Sequence, residues 1–266
     1  MIVLKSAREI GLMRRAGHIL AGLMERLRTT VGPGMSTLDI DEDVEAYILR
    51  EGAAPAFKGY RGFPATVCVS INEEVVHGIP SAGRTVREGD IVGLDLGCIV
   101  EGYYADCAFT LPLGPVPAKV QKLLDVTRES LDRAIQECRP GRRLSDVSHA
   151  VQTHVEAHGF AVVRAFVGHG IGRALHEEPQ IPNFGDPGRG PQLRAGMVLA
   201  IEPMVTMGSW EVRILDDGWT AVTQDGSLAA HFEHTVAVTE DGPEVLTSRT
   251  GQSTTTAPAT DASRGR

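Results

Sequence analysis

Apolar residues at Ile10, Met13, Leu20, Met24 and Leu27, with Gly17 among them, follow the three- and four-residue spacing of a helix with one buried face. Ser6-Ala-Arg-Glu9 stands before that stripe as a capping box, in which hydroxyl and carboxylate satisfy each other's free backbone N–H groups. Val31-Gly-Pro-Gly34 stops the helix. Ser36-Thr-Leu-Asp39 opens a second helix, ending at Gly52. The pattern then changes to short continuous apolar runs. Residues 67–71 and 91–95 are expected strands. A turn at Glu101-Gly102 within residues 100–110 would set Asp95 and Asp106 on the paired arms of a hairpin. Two more helices are expected over residues 117–138 and 144–158. Strands follow at 162–167, 198–201, 212–215 and 232–238, and Gly168-His-Gly-Ile-Gly172 reads as a glycine-rich turn.

Helices followed by strands, twice over, imply an α+β protein with an antiparallel sheet covered by helices on one side. No Pro/Ser-rich linker divides the 266 residues, so one domain is expected over residues 1–247. Residues 248–266 are poor in apolar side chains and read as a disordered tail. The 42% apolar share suits an ordinary soluble core. A formal charge of -8 with no basic run argues against nucleic-acid binding. Cys68, Cys98, Cys107 and Cys138 form no C-x-x-C pair, and free thiols in a reducing cytoplasm are the plain reading. Neither a signal peptide nor an apolar run of membrane-spanning length is present.

Two stretches repeat a frame. Arg87-Glu-Gly89 leads through Asp-Ile-Val-Gly-Leu to Asp95, and Arg194-Ala-Gly196 leads through Met-Val-Leu-Ala-Ile to Glu202. Each is a turn at Gly, an apolar run, and a carboxylate six residues after the Gly. A carboxylate closing a buried strand is costly unless paired or bound to a cation. Asp95, Asp106, Glu202 and Glu233, with His169, make a ligand mix suited to two divalent ions of the Mn, Fe, Co or Zn type. Four carboxylates carry -4 and two such ions +4, so the loaded centre is neutral. Paired ions lower the pKa of a bound water to roughly 7, which supplies a nucleophile for hydrolysis.

Two further histidines invite attention. His77 lies in Glu74-Val-Val-His77-Gly-Ile-Pro80, where a structural role competes with a catalytic one. His176 follows His169 by seven residues in a stretch with three glycines, Gly168, Gly170 and Gly172, which let backbone and imidazoles approach a small site closely. An imidazole there could donate to a developing oxyanion. Gly168-His-Gly-Ile-Gly172 is not a dinucleotide fingerprint, because Pro179 and Pro182 leave no room for the helix it needs. His154 and His158 miss the H-E-x-x-H pattern and are expected on a solvated helix face, as are His18, His149 and His231.

The chain resembles the type I methionine aminopeptidases from about residue 2 to 246. The resemblance rests on Ser70-Ile-Asn-Glu-Glu-Val-Val-His-Gly-Ile-Pro80, Gly168-His-Gly-Ile-Gly-Arg-Ala-Leu-His-Glu-Glu-Pro179, Leu199-Ala-Ile-Glu-Pro203, Asp217-Gly-Trp219 and Phe232-Glu-His234. It implies the pita-bread fold with pseudo-twofold halves, which suits the repeated frame. It implies that Asp95 chelates one metal, that His169 and Glu202 bind the other, and that Asp106 and Glu233 bridge them. Glu202 would also take a proton from the attacking water. His77 would contact the substrate near its scissile amide, and His176 would stabilise the tetrahedral intermediate. Phe57, Tyr60, Phe63, Cys68, Leu175 and Trp219 would line the pocket for the methionine side chain. Asn72 and Ser227 match positions that hold a monovalent cation. The resemblance further implies removal of initiator methionine from nascent chains with a small second residue, by a cytoplasmic monomer working near the ribosome, without membrane or nucleic-acid specificity.

The chain departs from the pattern at Phe57, where several relatives have Cys, and at Tyr104-Ala105 and Cys107 around Asp106. Two rivals share the fold: a peptidase cleaving Xaa-Pro bonds or dipeptides, and a metal-free peptide-binding module. The former usually carries an extra N-terminal domain, and the intact ligand set argues against the latter.

Overall fold

The computed structural model describes residues 1–250. Ser6 and Glu9 form the expected reciprocal cap of α1 (Ala7–Thr30). Ser36 and Asp39 do the same for α2 (Thr37–Arg50). α3 (Ala118–Gln136) and α4 (Leu144–Ala157) fill the two later helical stretches. Before α3 come β1 (Ala54–Pro55), β2 (Val67–Ile71), β3 (Glu74–Val76), β4 (Ile91–Val100) and β5 (Tyr103–Pro112). After α4 come β6 (Ala161–Val162), β7 (Gly168–Gly170), β8 (Glu177–Ile181), β9 (Val198–Ile201) and β10 (Met204–Thr206). They are followed by β11 (Val212–Ile214), β12 (Ala221–Thr223), β13 (Ala229–His231), β14 (Glu233–Thr239) and β15 (Gly242–Val245).

The main sheet runs β1-β4-β5-β14-β9-β7-β8, with β2 also on β4 and β15 also on β14. Its pairings are antiparallel. The hairpin β4–β5 from the first half therefore meets β14–β9 from the second at the β5–β14 junction, which is the pseudo-twofold pita-bread arrangement. Side chains alternate across a strand. Leu94, Leu96, Cys98, Cys107 and Phe109 join Leu20, Leu23 and Leu27 of α1 in the principal core. Asp95, Gly97, Asp106 and Ala108 alternate with them and take the opposite face.

Three details differ from the sequence expectation. The strand expected at 162–167 shortens to β6. Val163 still donates to the Met204 carbonyl at 2.9 Å, but Arg164 and Ala165 turn out to solvent as the chain leaves the β13-β10-β6 sheet for the main one. The expected glycine-rich turn is instead strand β7 between β8 and β9. Its glycines permit close packing of backbones, since a Cβ on Gly168 would fall 2.5 Å from the Ala200 carbonyl oxygen and one on Gly170 2.2 Å from that of Glu178. Order also continues past residue 247: Ser248 is buried, and Arg249 pairs with Glu25 at 3.2 Å. Residues 251–266 of the expected tail lie outside the described residues.

Candidate active site

The sheet register brings the five expected ligands together. Asp95 on β4 and Glu233 on β14 both pair with Ala108 of β5. Asp106 lies two residues earlier on β5, opposite Gly97. His169 on β7 pairs with Ala200 of β9, and Glu202 follows the end of that strand. The glycines that start the two frames, Gly89 and Gly196, have φ of 88° and 92°, a left-handed turn that most side chains resist. His169 Nε2 lies 3.5 Å from Glu202 Oε1 and 3.9 Å from Asp106 Oδ2. One ligand atom from each of Asp106, His169 and Glu233 lies within 4.8 Å of the others.

These residues fit divalent metal ions. Asp95 Oδ1, Asp106 Oδ1 and Glu233 Oε1 are buried and have no hydrogen-bond partner. A buried carboxylate oxygen without a partner is unfavourable, and a hard cation would satisfy it. His169 Nδ1 donates to the Gly170 carbonyl at 2.9 Å, which leaves the Nε2 lone pair directed at the carboxylates. Without a cation, burial raises the Asp95 carboxyl to about 7. Burial and then the neighbouring carboxylates push Asp106, Glu202 and Glu233 well above the ordinary range. Burial drives His169 down to about 3, so its imidazole stays neutral, the form that could bind a metal.

The five expected ligands share a cavity of about 160 Å³ with His77, His176, Phe57, Tyr60, Phe63, Cys68, Leu175 and Trp219. A cavity of about 150 Å³ admits a benzene-sized group, so this one has room for a methionine side chain. The Tyr60 hydroxyl lies 2.8 Å from His176 Nδ1, and the two rings stack. The His176 and His169 rings are 4.2 Å apart. Burial, followed by the positive charge of Arg61, lowers His176 to about 4. His77 meets the edges of Phe166 and Trp219, and Trp219 meets Phe63. Asp217 accepts the backbone N–H groups of Trp219 and Thr220 at 2.8 Å and so anchors the indole. Burial pushes the Cys68 thiol far up, so it packs as a small apolar group. Of the remaining expected pair, Asn72 accepts at its carbonyl from Ala229 N–H at 2.9 Å and bonds through its side chain to Asp90 and Ile91, while the buried Ser227 Oγ has no hydrogen-bond partner.

Sequence reasoning missed two residues. His231 does not lie on a solvated helix face. It is buried at the end of β13, with Nε2 3.9 Å from Glu202 Oε2 and no hydrogen-bond partner. Its position two residues before Glu233, on the opposite side of Phe232, was the available signal. Arg61 also lines the cavity, and the adjacent Tyr60 and Gly62 were its only pointers. His154 is buried too, with Nε2 3.1 Å from Glu129 of α3; it packs α4 on α3 and takes no part in the site.

Residues 11–240 match metallopeptidase family M24. The chain is 53% identical to methionine aminopeptidase 1 of Bacillus subtilis over 93% of this chain and 99% of the relative. It is 47% identical to methionine aminopeptidase 1 of Mycobacterium tuberculosis, covering 91% and 94% of the two chains. The crystal structure of methionine aminopeptidase from Thermotoga maritima superposes with a TM-score of 0.92 at 49% identity, covering 93% of this chain and 100% of that one. Prolidase from Pyrococcus furiosus, at 22% identity and a TM-score of 0.74, shares the fold, and this chain covers 65% of its length.

Proposed function

On the premise that the chain belongs to metallopeptidase family M24 and is a metallo-aminopeptidase, we propose that it removes the initiator methionine through the cavity of Asp95, Asp106, His169, Glu202 and Glu233. The observation that carries this reading is the set of buried, unpartnered carboxylate oxygens beside an apolar pocket closed by Trp219. Family membership implies divalent metal binding. Asp95, Asp106, His169, Glu202 and Glu233 would hold two ions of the Co, Mn, Fe or Zn type. When bound, such ions make water acidic enough to supply a nucleophile near neutral pH.

The residues of the chain do the rest. Phe57, Tyr60, Phe63, Cys68, Leu175 and Trp219 take up the methionine side chain, whose sulfur gains from aromatic contacts. Glu202 accepts a proton from the attacking water as its oxygen bonds to the carbonyl carbon. His176 donates to the carbonyl oxygen as negative charge builds there. The proton on Glu202 then passes to the leaving amine as the C–N bond breaks, and His77 holds that amine. Asn72 and Ser227 would hold a monovalent cation through the unpartnered Ser227 Oγ. All these groups come from one chain, so a monomer suffices. Four free, buried cysteines accord with the reducing cytoplasm where nascent chains leave the ribosome. No helix among the described residues is long and apolar enough to cross a membrane.

Chelator-stripped protein, reloaded with single divalent metals, tests this on Met-Ala-Ser, Met-Lys-Ser and Ala-Pro-Ser. Metal-dependent release of methionine from the first alone is expected. Cleavage of Ala-Pro-Ser would instead support a proline-directed peptidase, and inactivity with every metal would support a binding module.

A further inference from the structure

Residues 59–62 form a tight, strained turn at the edge of the cavity. Arg61 has φ 50° between Gly59 at 85° and Gly62 at 90°. Left-handed backbone is uncommon for a side chain like arginine, and strain of this kind collects at functional sites. Tyr60 N–H donates to the Phe57 carbonyl at 2.8 Å, and Gly59 N–H to that of Phe63 at 2.8 Å. The turn is thus tied at both ends to residues of the methionine pocket. Its guanidinium lies 5.4 Å from the centre of the Tyr60 ring, and Tyr60 in turn contacts His176.

Arg61 is the one lysine or arginine lining this cavity. Among the described residues it has no carboxylate partner, whereas Arg14, Arg15, Arg26, Arg84 and Arg173 each have one. Two divalent ions would cancel the four carboxylate charges below it, so the guanidinium supplies the uncompensated charge at the cavity mouth. The protein as a whole carries -8, so this is a local reversal of the prevailing field.

From this placement we infer that Arg61 is a specificity-determining residue, favouring peptides with an acidic side chain at the third position. The inference rests on the aminopeptidase reading above. The first side chain fills the pocket, and a small second residue offers Arg61 nothing to hold. The third side chain is the first that can reach the exposed rim.

The test uses metal-loaded full-length protein and the amidated peptides Met-Ala-Glu, Met-Ala-Gln and Met-Ala-Lys. Amidation removes the terminal carboxylate, which Arg61 would also attract. Wild type should prefer Glu over Lys by about fivefold in kcat/KM, mainly through KM, the size of one exposed ion pair. That ratio should fall toward one in roughly 0.5 M salt, where charges are screened within a few ångströms. It should also fall in Arg61→Asn, a residue that tolerates the left-handed turn, and reverse in Arg61→Glu. A wild-type ratio near one, or one unchanged by salt or by Arg61→Asn, would overturn the inference. Failure of wild type to cleave even Met-Ala-Gln would instead count against the aminopeptidase reading.

Discussion

Asp95 and Glu233 stand in register with the same residue, Ala108, from strands on either side of it. Their backbones are therefore two strand spacings apart, about 9–10 Å. Residues in register share a face, so both carboxylates stand on the Ala108 side of the sheet, where a cation could be reached from either strand. Each strand comes from a different half of the chain, so the centre exists only once the halves close.

The metal-free protein should lose stability as pH rises from about 6.5 to 8. The raised carboxyl groups, Asp95 at about 7 among them, bind protons more tightly folded than unfolded, so raising the pH favours the unfolded chain. His169 and His231, both lowered to about 3, and His176 and His234, to about 4, act in the opposite sense. Their effect is confined to pH below the unfolded value of about 6.5, where stability falls as pH drops. Thermal melts of chelator-treated protein should show Tm falling between pH 6.5 and 8, with added Mn or Co restoring it most at the upper end. A flat profile would rule out a cluster of strained carboxylates.

Glu202→Gln should keep the fold and lose roughly 10²-fold or more in kcat, the range ascribed to a positioned proton acceptor. Circular dichroism and steady-state kinetics on Met-Ala-Ser check both halves of the expectation. Near-normal turnover would remove Glu202 from the base role.

His231 is locked through its backbone, donating to Thr110 Oγ1 and accepting from it, both at 2.9 Å. That fixes its imidazole behind Glu202. His231→Leu should weaken metal binding or kcat/KM about tenfold, as loss of a ligand-supporting group typically does. His231→Gln, which keeps a donor, should recover most of it. Calorimetric metal titration separates this from a general packing defect; equal affinities for all three proteins would refute it.

Lys5, with its side chain 4% exposed, donates to Glu177 Oε2 at 2.5 Å and to the Val3 carbonyl at 3.0 Å. Glu177 Oε1 accepts from Arg173 and Ala174 N–H, so the ion pair braces the loop carrying Leu175 and His176. A hydrogen bond between charged groups is worth about 1.5–3 kcal/mol when lost. Lys5→Met should raise KM and speed tryptic cleavage after the exposed Arg173 about tenfold. Mass spectrometry of the digest follows this directly, and an unchanged cleavage rate would show that the loop holds itself.

The four helices and the apolar strands at 67–71, 91–95 and 198–201 were legible in the chain because periodicity and caps are local, whereas the short buried strands β10, β12 and β13 were not. Ser6 with Glu9, and the 198–201 run before Glu202, behave in the structure as their neighbours in sequence dictate. The candidate ligand set was legible for a similar reason: an acid that ends an apolar strand is anomalous wherever the strand lies. Glycine was ambiguous, since Gly168 and Gly170 serve a strand through contacts with Ala200 and Glu178 that no local pattern announces. His231 and Arg61 were hidden for the same cause. Whether a side chain meets Glu202 or the rim of a cavity is decided by strand order and backbone strain, which arise from pairings between residues far apart in the chain. Sequence alone determined which residues could bind metal and where helices begin. Only tertiary structure decided their convergence, because burying four carboxylates beside one another requires both halves of the sheet at once.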